Sequence, residues 1–77
     1  MVQAFILIQT QVGSLYDVAE EIRQIPGVVH ANPVTGPYDV VALTEAPTVG
    51  DLGELVISRV QKVKGISRTL TCPILRQ

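Results

Sequence analysis

Two places in this 77-residue chain hold side chains whose type and spacing could do chemistry. The first is the run Thr35-Gly36-Pro37-Tyr38-Asp39-Val40-Val41-Ala42-Leu43. It reads as a tight turn that feeds an apolar strand and sets an acid at the strand's mouth. Gly36 can take a positive φ that other residues resist, and Pro37 fixes φ and donates no ladder hydrogen bond. Asp39 falls in the alternating row of Val41 and Leu43. A carboxylate at the end of an apolar row is costly unless something pairs with it. Two readings stand side by side. Asp39 can accept local backbone hydrogen bonds, as in ordinary turn chemistry. Alternatively the turn's N–H groups meet an anion while Asp39 meets a cation, which is what a free amino acid presents. The second place is His30, the only histidine, which an enzyme could use as a base. The sequence gives it no recognisable partner, so an ordinary edge-strand role is the stronger reading.

Other candidates carry less. Cys72 is the only cysteine, which excludes an internal disulfide, and its apolar surroundings beside Pro73 suit a buried inert thiol. One His and one Cys at unrelated positions make no metal site, and no cofactor is expected. Ser67, Thr69 and Thr71 could line a pocket or serve as edge-strand residues; the second reading is preferred. Arg59, Lys62, Lys64 and Arg68 are spread over a helix end and the next strand. With a formal net charge of -1 they form no phosphate-neutralising face, and no helix-turn-helix is visible, so direct DNA binding is not expected.

The composition adds a constraint on assembly. The chain is 47% hydrophobic and 17% charged, and 77 residues make one small domain, residues 1–77, that is marginal alone. So much apolar surface on so small a body predicts an oligomer. The run Ala4-Phe5-Ile6-Leu7-Ile8 is too short for a membrane span, and no secretory signal precedes it, so a cytoplasmic protein is expected.

The elements that must position these residues follow from periodicity. Val2 to Thr10 reads as a strand apolar on both faces, hence interior. Ser14 to Ile25 reads as a helix, with Ser14 and Asp17 spaced as a capping box and Leu15, Val18, Ala19, Ile22 and Ile25 as its apolar stripe. Val28 to Val34 and Ile66 to Leu75 are strands that contain Pro33 and Pro73, which assigns both to sheet edges. Tyr38 to Glu45 is the third strand. Thr48 to Val63 is a second helix, capped by Thr48 with Asp51 at the matching position. Ile25-Pro26-Gly27-Val28 echoes Val63-Lys64-Gly65-Ile66. Two βαβ units in this order predict an α+β, ferredoxin-like βαββαβ sandwich with the first and third strands central. Both helices then cover one sheet face, and a second copy covers the other.

Taken together, the βαββαβ order, Ile25-Pro26-Gly27-Val28, the Thr35-Gly36-Pro37-Tyr38-Asp39-Val40 turn and Val63-Lys64-Gly65-Ile66 before a Thr-containing strand resemble the effector-binding domain of the Lrp/AsnC transcription regulators. That domain is also called RAM, for regulation of amino acid metabolism. The resemblance spans essentially the whole chain. It implies a dimeric α/β barrel whose dimers assemble further, into octamers or decamers, and which binds an amino acid or related small molecule between dimers. Carried over by position, it nominates Thr35, Gly36, Tyr38 and Asp39 as ligand-binding, with Val34 and Pro37 as neighbours in the turn. Typical regulators carry an N-terminal helix-turn-helix, whereas this chain begins directly with the first strand. A stand-alone effector domain is therefore expected, acting by co-assembly with full-length regulators, by sensing an amino acid, or both. Two rivals remain: a small cofactor-independent enzyme of monooxygenase or isomerase type on the same frame, with His30 as base, and an assembly partner that binds nothing small.

Overall fold

A computed structural model describes residues 1–75. The order is β1 (Val2–Thr10), α1 (Leu15–Arg23), β2 (Val28–Pro33), β3 (Val40–Ala46), α2 (Val49–Ser58), a 3-10 turn (Val60–Lys62) and β4 (Ile66–Pro73). The strands form one antiparallel sheet in the order β2-β3-β1-β4. This is the expected ferredoxin-like α+β arrangement. Pro33 and Pro73 lie on the two edge strands, where a missing N–H breaks no central ladder.

The two faces of the sheet differ because side chains alternate along each strand. Ala4, Ile6 and Ile8 of β1 and Val40, Ala42, Thr44 and Ala46 of β3 point under the helices and are buried. Val18, Ala19 and Ile22 of α1 and Leu52 and Val56 of α2 close over them. Among the described residues Thr44 is the one buried polar residue, and its hydroxyl is satisfied by donating to the Ala4 carbonyl at 2.9 Å. Among the described residues the opposite face carries no layer. On it, ladder partners bring Phe5 beside Leu43 and Cys72, and Leu7 beside Val41 and Leu70. Phe5 remains 38% exposed and Leu70 48%.

The echo between the halves is structural. Gly27 and Gly65 both follow a helical segment with φ of +99° and +96°. Each carbonyl then receives an N–H from the end of a central strand: Glu45 donates to Gly27 and Gln11 to Gly65, at 2.8 and 2.7 Å. At Gly65 a Cβ would stand 2.9 Å from the Ser14 Cβ, so a larger residue is opposed by space as well as by φ.

The helix ends differ from the expectation, except that Thr48 caps α2 as expected. α1 begins at Leu15, and Ser14 makes no capping bond. Its backbone sits at φ −102°, ψ 0°, in the helical region, while a capping residue needs an extended backbone to aim its oxygen at the first turn. Thr48 has that conformation (φ −136°, ψ 164°), and its hydroxyl accepts the Asp51 N–H at 3.1 Å. α2 stops at Ser58 because Arg59 turns to φ −121°, and the 3-10 turn then buries Val60. β2 ends at Pro33 and β4 at Pro73, so Val34 and Leu75 fall outside the strands, and β3 runs from Val40 to Ala46 rather than from Tyr38. Arg23, on the helix's outer side by periodicity, reaches across to donate Nε to the Ala31 carbonyl at 2.8 Å. That contact ties α1 to the exposed edge strand.

Candidate functional site

The turn from Val34 to Asp39 joins β2 to β3 at one end of the sheet. It is closed by the Val34 N–H, which donates to the Asp39 carbonyl at 2.8 Å, and anchored by the Asp39 N–H, which donates to the Ile8 carbonyl at 2.8 Å. Gly36 has φ +145°, and a Cβ there would meet nothing within 4 Å. This glycine is therefore demanded by backbone conformation and not by crowding. Val34, Thr35, Gly36 and Pro37 are exposed, and Tyr38 and Asp39 are half-buried. All six residues nominated from the sequence thus share one turn. Among the described residues, no protein acceptor takes the N–H of Thr35, Gly36 or Tyr38.

Asp39 is engaged within the chain. Its Oδ2 accepts the Thr10 N–H at 2.8 Å and the Thr10 hydroxyl at 3.3 Å. The reason lies in the ladder. β1 pairs with β3 only as far as Ile8 and Val40, so Thr10 has no ladder acceptor on that side. The carboxylate stands where the next carbonyl would have been. Asp39 does accept a backbone hydrogen bond, but from Thr10 of β1 and not from the turn itself as the local reading expects. A second bond fastens the turn, from the Gln9 side-chain amide to the Pro37 carbonyl at 3.0 Å. Neither Gln9 nor Thr10 is nominated by the sequence. Both look like ordinary strand residues, and only their position opposite the end of β3 gives them this role.

The remaining candidates lie elsewhere. His30 is exposed on the uncovered face, in register with Leu43, with the Asn32 amide nitrogen 3.5 Å from its Nδ1. Among the described residues no group of three or more His, Cys, Asp or Glu could hold a metal ion. Cys72 is half-buried beside Phe5, on the uncovered face. Thr69 and Thr71 pair with Ile8 and Ile6 and so face the helices, while the ladder skips Ser67; the three do not form one row. Thr71 and Pro73 line an apolar groove of about 320 Å³ against Val49, Leu52 and Ile57 of α2. Another hollow, about 510 Å³, lies between Asp17 and Glu21 of α1 and the Lys64-Gly65 turn. Neither hollow involves residues 34–39, of which 34–37 lie open on the surface of the single chain. No helix of the described residues is long and apolar enough to cross a membrane.

Comparison with known proteins gives a consistent result. The family model described as the Lrp/AsnC ligand binding domain matches residues 3–77. An uncharacterized HTH-type transcriptional regulator of Pyrococcus horikoshii is 34% identical over 71 residues, which cover 88% of this chain and 47% of that protein. The chain spans half or less of the curated Pyrococcus regulators it matches, between 37% and 47% of their length. The crystal structure of a Thermus thermophilus protein, TTHA0845, superposes with a TM-score of 0.93 at 34% identity, covering 100% of this chain and 96% of that one. A transcriptional regulator from Neisseria meningitidis, solved as a complex with L-methionine, shares the fold at a TM-score of 0.86 and 19% identity, covering 99% of this chain and 51% of that one. With the ferredoxin-like sheet, the glycine-marked turn into β3 and a whole-length family match, the chain belongs to the Lrp/AsnC ligand-binding domain family.

Proposed function

We propose that residues 1–77 act as one non-enzymatic effector-binding unit in the cytoplasm, linked to transcription control. The unit pairs through its uncovered sheet face, the pairs assemble into an octamer or decamer, and an amino acid binds between pairs at the Val34–Asp39 turn. The observation that carries this reading is the composition of the turn. It sets three unengaged backbone N–H groups, of Thr35, Gly36 and Tyr38, next to a carboxylate held in place by β1. A free amino acid supplies a carboxylate for the first and an ammonium for the second. The L-methionine complex of the Neisseria regulator supports the ligand class. The exposure of the turn in one chain supports a site completed by a neighbouring copy, since small-molecule sites bury most of their ligand.

A ligand bound between copies shifts assembly by its greater affinity for the assembled state. Co-assembly with full-length regulators would carry that signal to DNA. Sedimentation velocity and thermal melts with each of the twenty L-amino acids test the reading. At least one amino acid is expected to raise the melting temperature and shift the sedimentation coefficient of the native chain. Melts unmoved by every amino acid would overturn it. Titration calorimetry of the Asp39→Ala variant then separates a ligand site from a purely structural assembly role, because only the former loses heat of binding.

A further inference from the structure

Thr10 lies outside the turn, yet it determines what Asp39 can offer. A carboxylate oxygen has about two lone-pair sites. Both sites on Oδ2 are taken by Thr10, one by its N–H at 2.8 Å and one by its hydroxyl at 3.3 Å. Among the described residues no donor reaches Oδ1. The N–H cannot be released cheaply, because β3 has ended and no carbonyl replaces Asp39 there. The other side of the turn is held separately, by Gln9 on the Pro37 carbonyl.

We propose that Thr10 is a positioning and specificity residue of the ligand site: it occupies one oxygen of Asp39 and leaves Oδ1 as a single acceptor. This rests on the reading of the turn as an amino-acid site and adds a selection rule to it. A single oxygen suits an ammonium, a compact charge whose three N–H bonds point in separate directions. It does not suit a guanidinium, whose strong mode grips both oxygens of a carboxylate at once. The site therefore selects the α-ammonium of an amino acid, and Thr10 sets the strength of that contact through Asp39 without touching the ligand.

Titration calorimetry on the full chain tests this. The probes are the twenty L-amino acids and, for the tightest binder, its des-amino analogue, in which hydrogen replaces the α-ammonium. The native chain is expected to bind the amino acid about tenfold more tightly than the analogue, the scale of one charge-assisted hydrogen bond. In Thr10→Val the preference is expected to fall to about threefold, with the analogue's own affinity unchanged. Thr10→Ser, which keeps the hydroxyl, restores the native preference. Gln9→Leu disturbs the turn from its other side and leaves the preference where it was. Equal weakening of both probes in Thr10→Val makes the residue merely structural and overturns the proposal, as does an equal loss of preference in Gln9→Leu. Should Thr10→Val fail to fold, Thr10→Ser and Thr10→Ala decide between the same outcomes. A native chain that binds none of the twenty amino acids overturns the underlying reading as well. One that binds, with a preference indifferent to Thr10, overturns the selection rule alone.

Discussion

The two faces of the sheet are built from the same kinds of residue and end in opposite conditions. On the helix side, Ala4, Ile6, Ile8, Val40 and Ala42 are completely buried. On the other side, Phe5, Leu7, Val41, Leu43 and Leu70 form a comparable apolar array with no layer above it. Polar residues of that face, among them Gln3, Gln9, His30, Asn32, Glu45 and Arg68, lie around its margin, and Gln3 donates to Glu45 at 3.3 Å. An apolar centre ringed by polar side chains is how a protein–protein interface is composed. The difference between the faces teaches that burial here is divided. One layer is closed by the chain's own helices, and the other is the face that the proposed pairing uses.

Emptying the covered face gives the largest effect. Ile6 is fully buried at the centre of β1, with α1 and α2 above it. Ile6→Ala removes three carbons and leaves a cavity, costing about 2–5 kcal/mol. Urea denaturation followed by circular dichroism should show a lower midpoint with an unchanged slope. For so small a domain that loss takes much of the total stability. An effect well under 1 kcal/mol would mean that the covered face is not the core.

Charging the uncovered face gives a different kind of effect. Leu7 lies between Val41 and Leu70 in the register. Leu7→Lys is expected to weaken self-association by about a hundredfold or more, as when a central anchor of an interface is lost. The secondary structure should survive, because no helix packs on that side. Sedimentation velocity would then find a folded monomer in place of an oligomer. The comparison of faces breaks if the native chain is itself monomeric, or if Leu7→Lys unfolds like Ile6→Ala.

Within the covered layer the comparison can be sharpened at Thr44, the fully buried polar residue there among the described residues. Thr44→Val keeps the shape and deletes the hydroxyl bond to the Ala4 carbonyl. The expected loss is about 1 kcal/mol, the net contribution of one intramolecular hydrogen bond. Chemical denaturation resolves it. A neutral result would show that the Ala4 carbonyl is satisfied by the ladder alone.

The sheet order was legible because it rests on strong, redundant signals. Apolar runs on both faces of β1 and β3 demand a central place, and Pro33 and Pro73 demand an edge. The turn into β3 was legible for a similar reason, since Gly36-Pro37 restricts the backbone in a way few other pairs do. Gln9 and Thr10 were not legible. Their side chains are unremarkable for a strand, and their role arises where β3 stops pairing with β1, a long-range register fact. Ser14 misled for the opposite reason. Ser14 and Asp17 have the right spacing for a capping box, but capping is decided by φ and ψ. At Ser14 these follow from the Gln11–Ser14 turn, whose N–H to carbonyl bond is 3.0 Å. The Gly65 turn packs beside it, close to the Ser14 Cβ.

That misreading supplies the smallest prediction, which concerns how the lid of the covered face is fastened. Thr48 caps α2 through its hydroxyl, and Ser14 precedes α1 without capping it. Thr48→Ala removes an acceptor from the Asp51 N–H and should cost about 1 kcal/mol. Ser14→Ala removes no capping bond and should stay within about 0.5 kcal/mol. Both hydroxyls sit at the start of a helix, so hydroxyl loss by itself cannot separate them. Only backbone conformation does, extended at Thr48 and helical at Ser14. Denaturation of the two variants side by side measures that difference. Equal costs would mean that the Ser14 hydroxyl contributes by contact beside Gly65, where it already stands close, and not by capping.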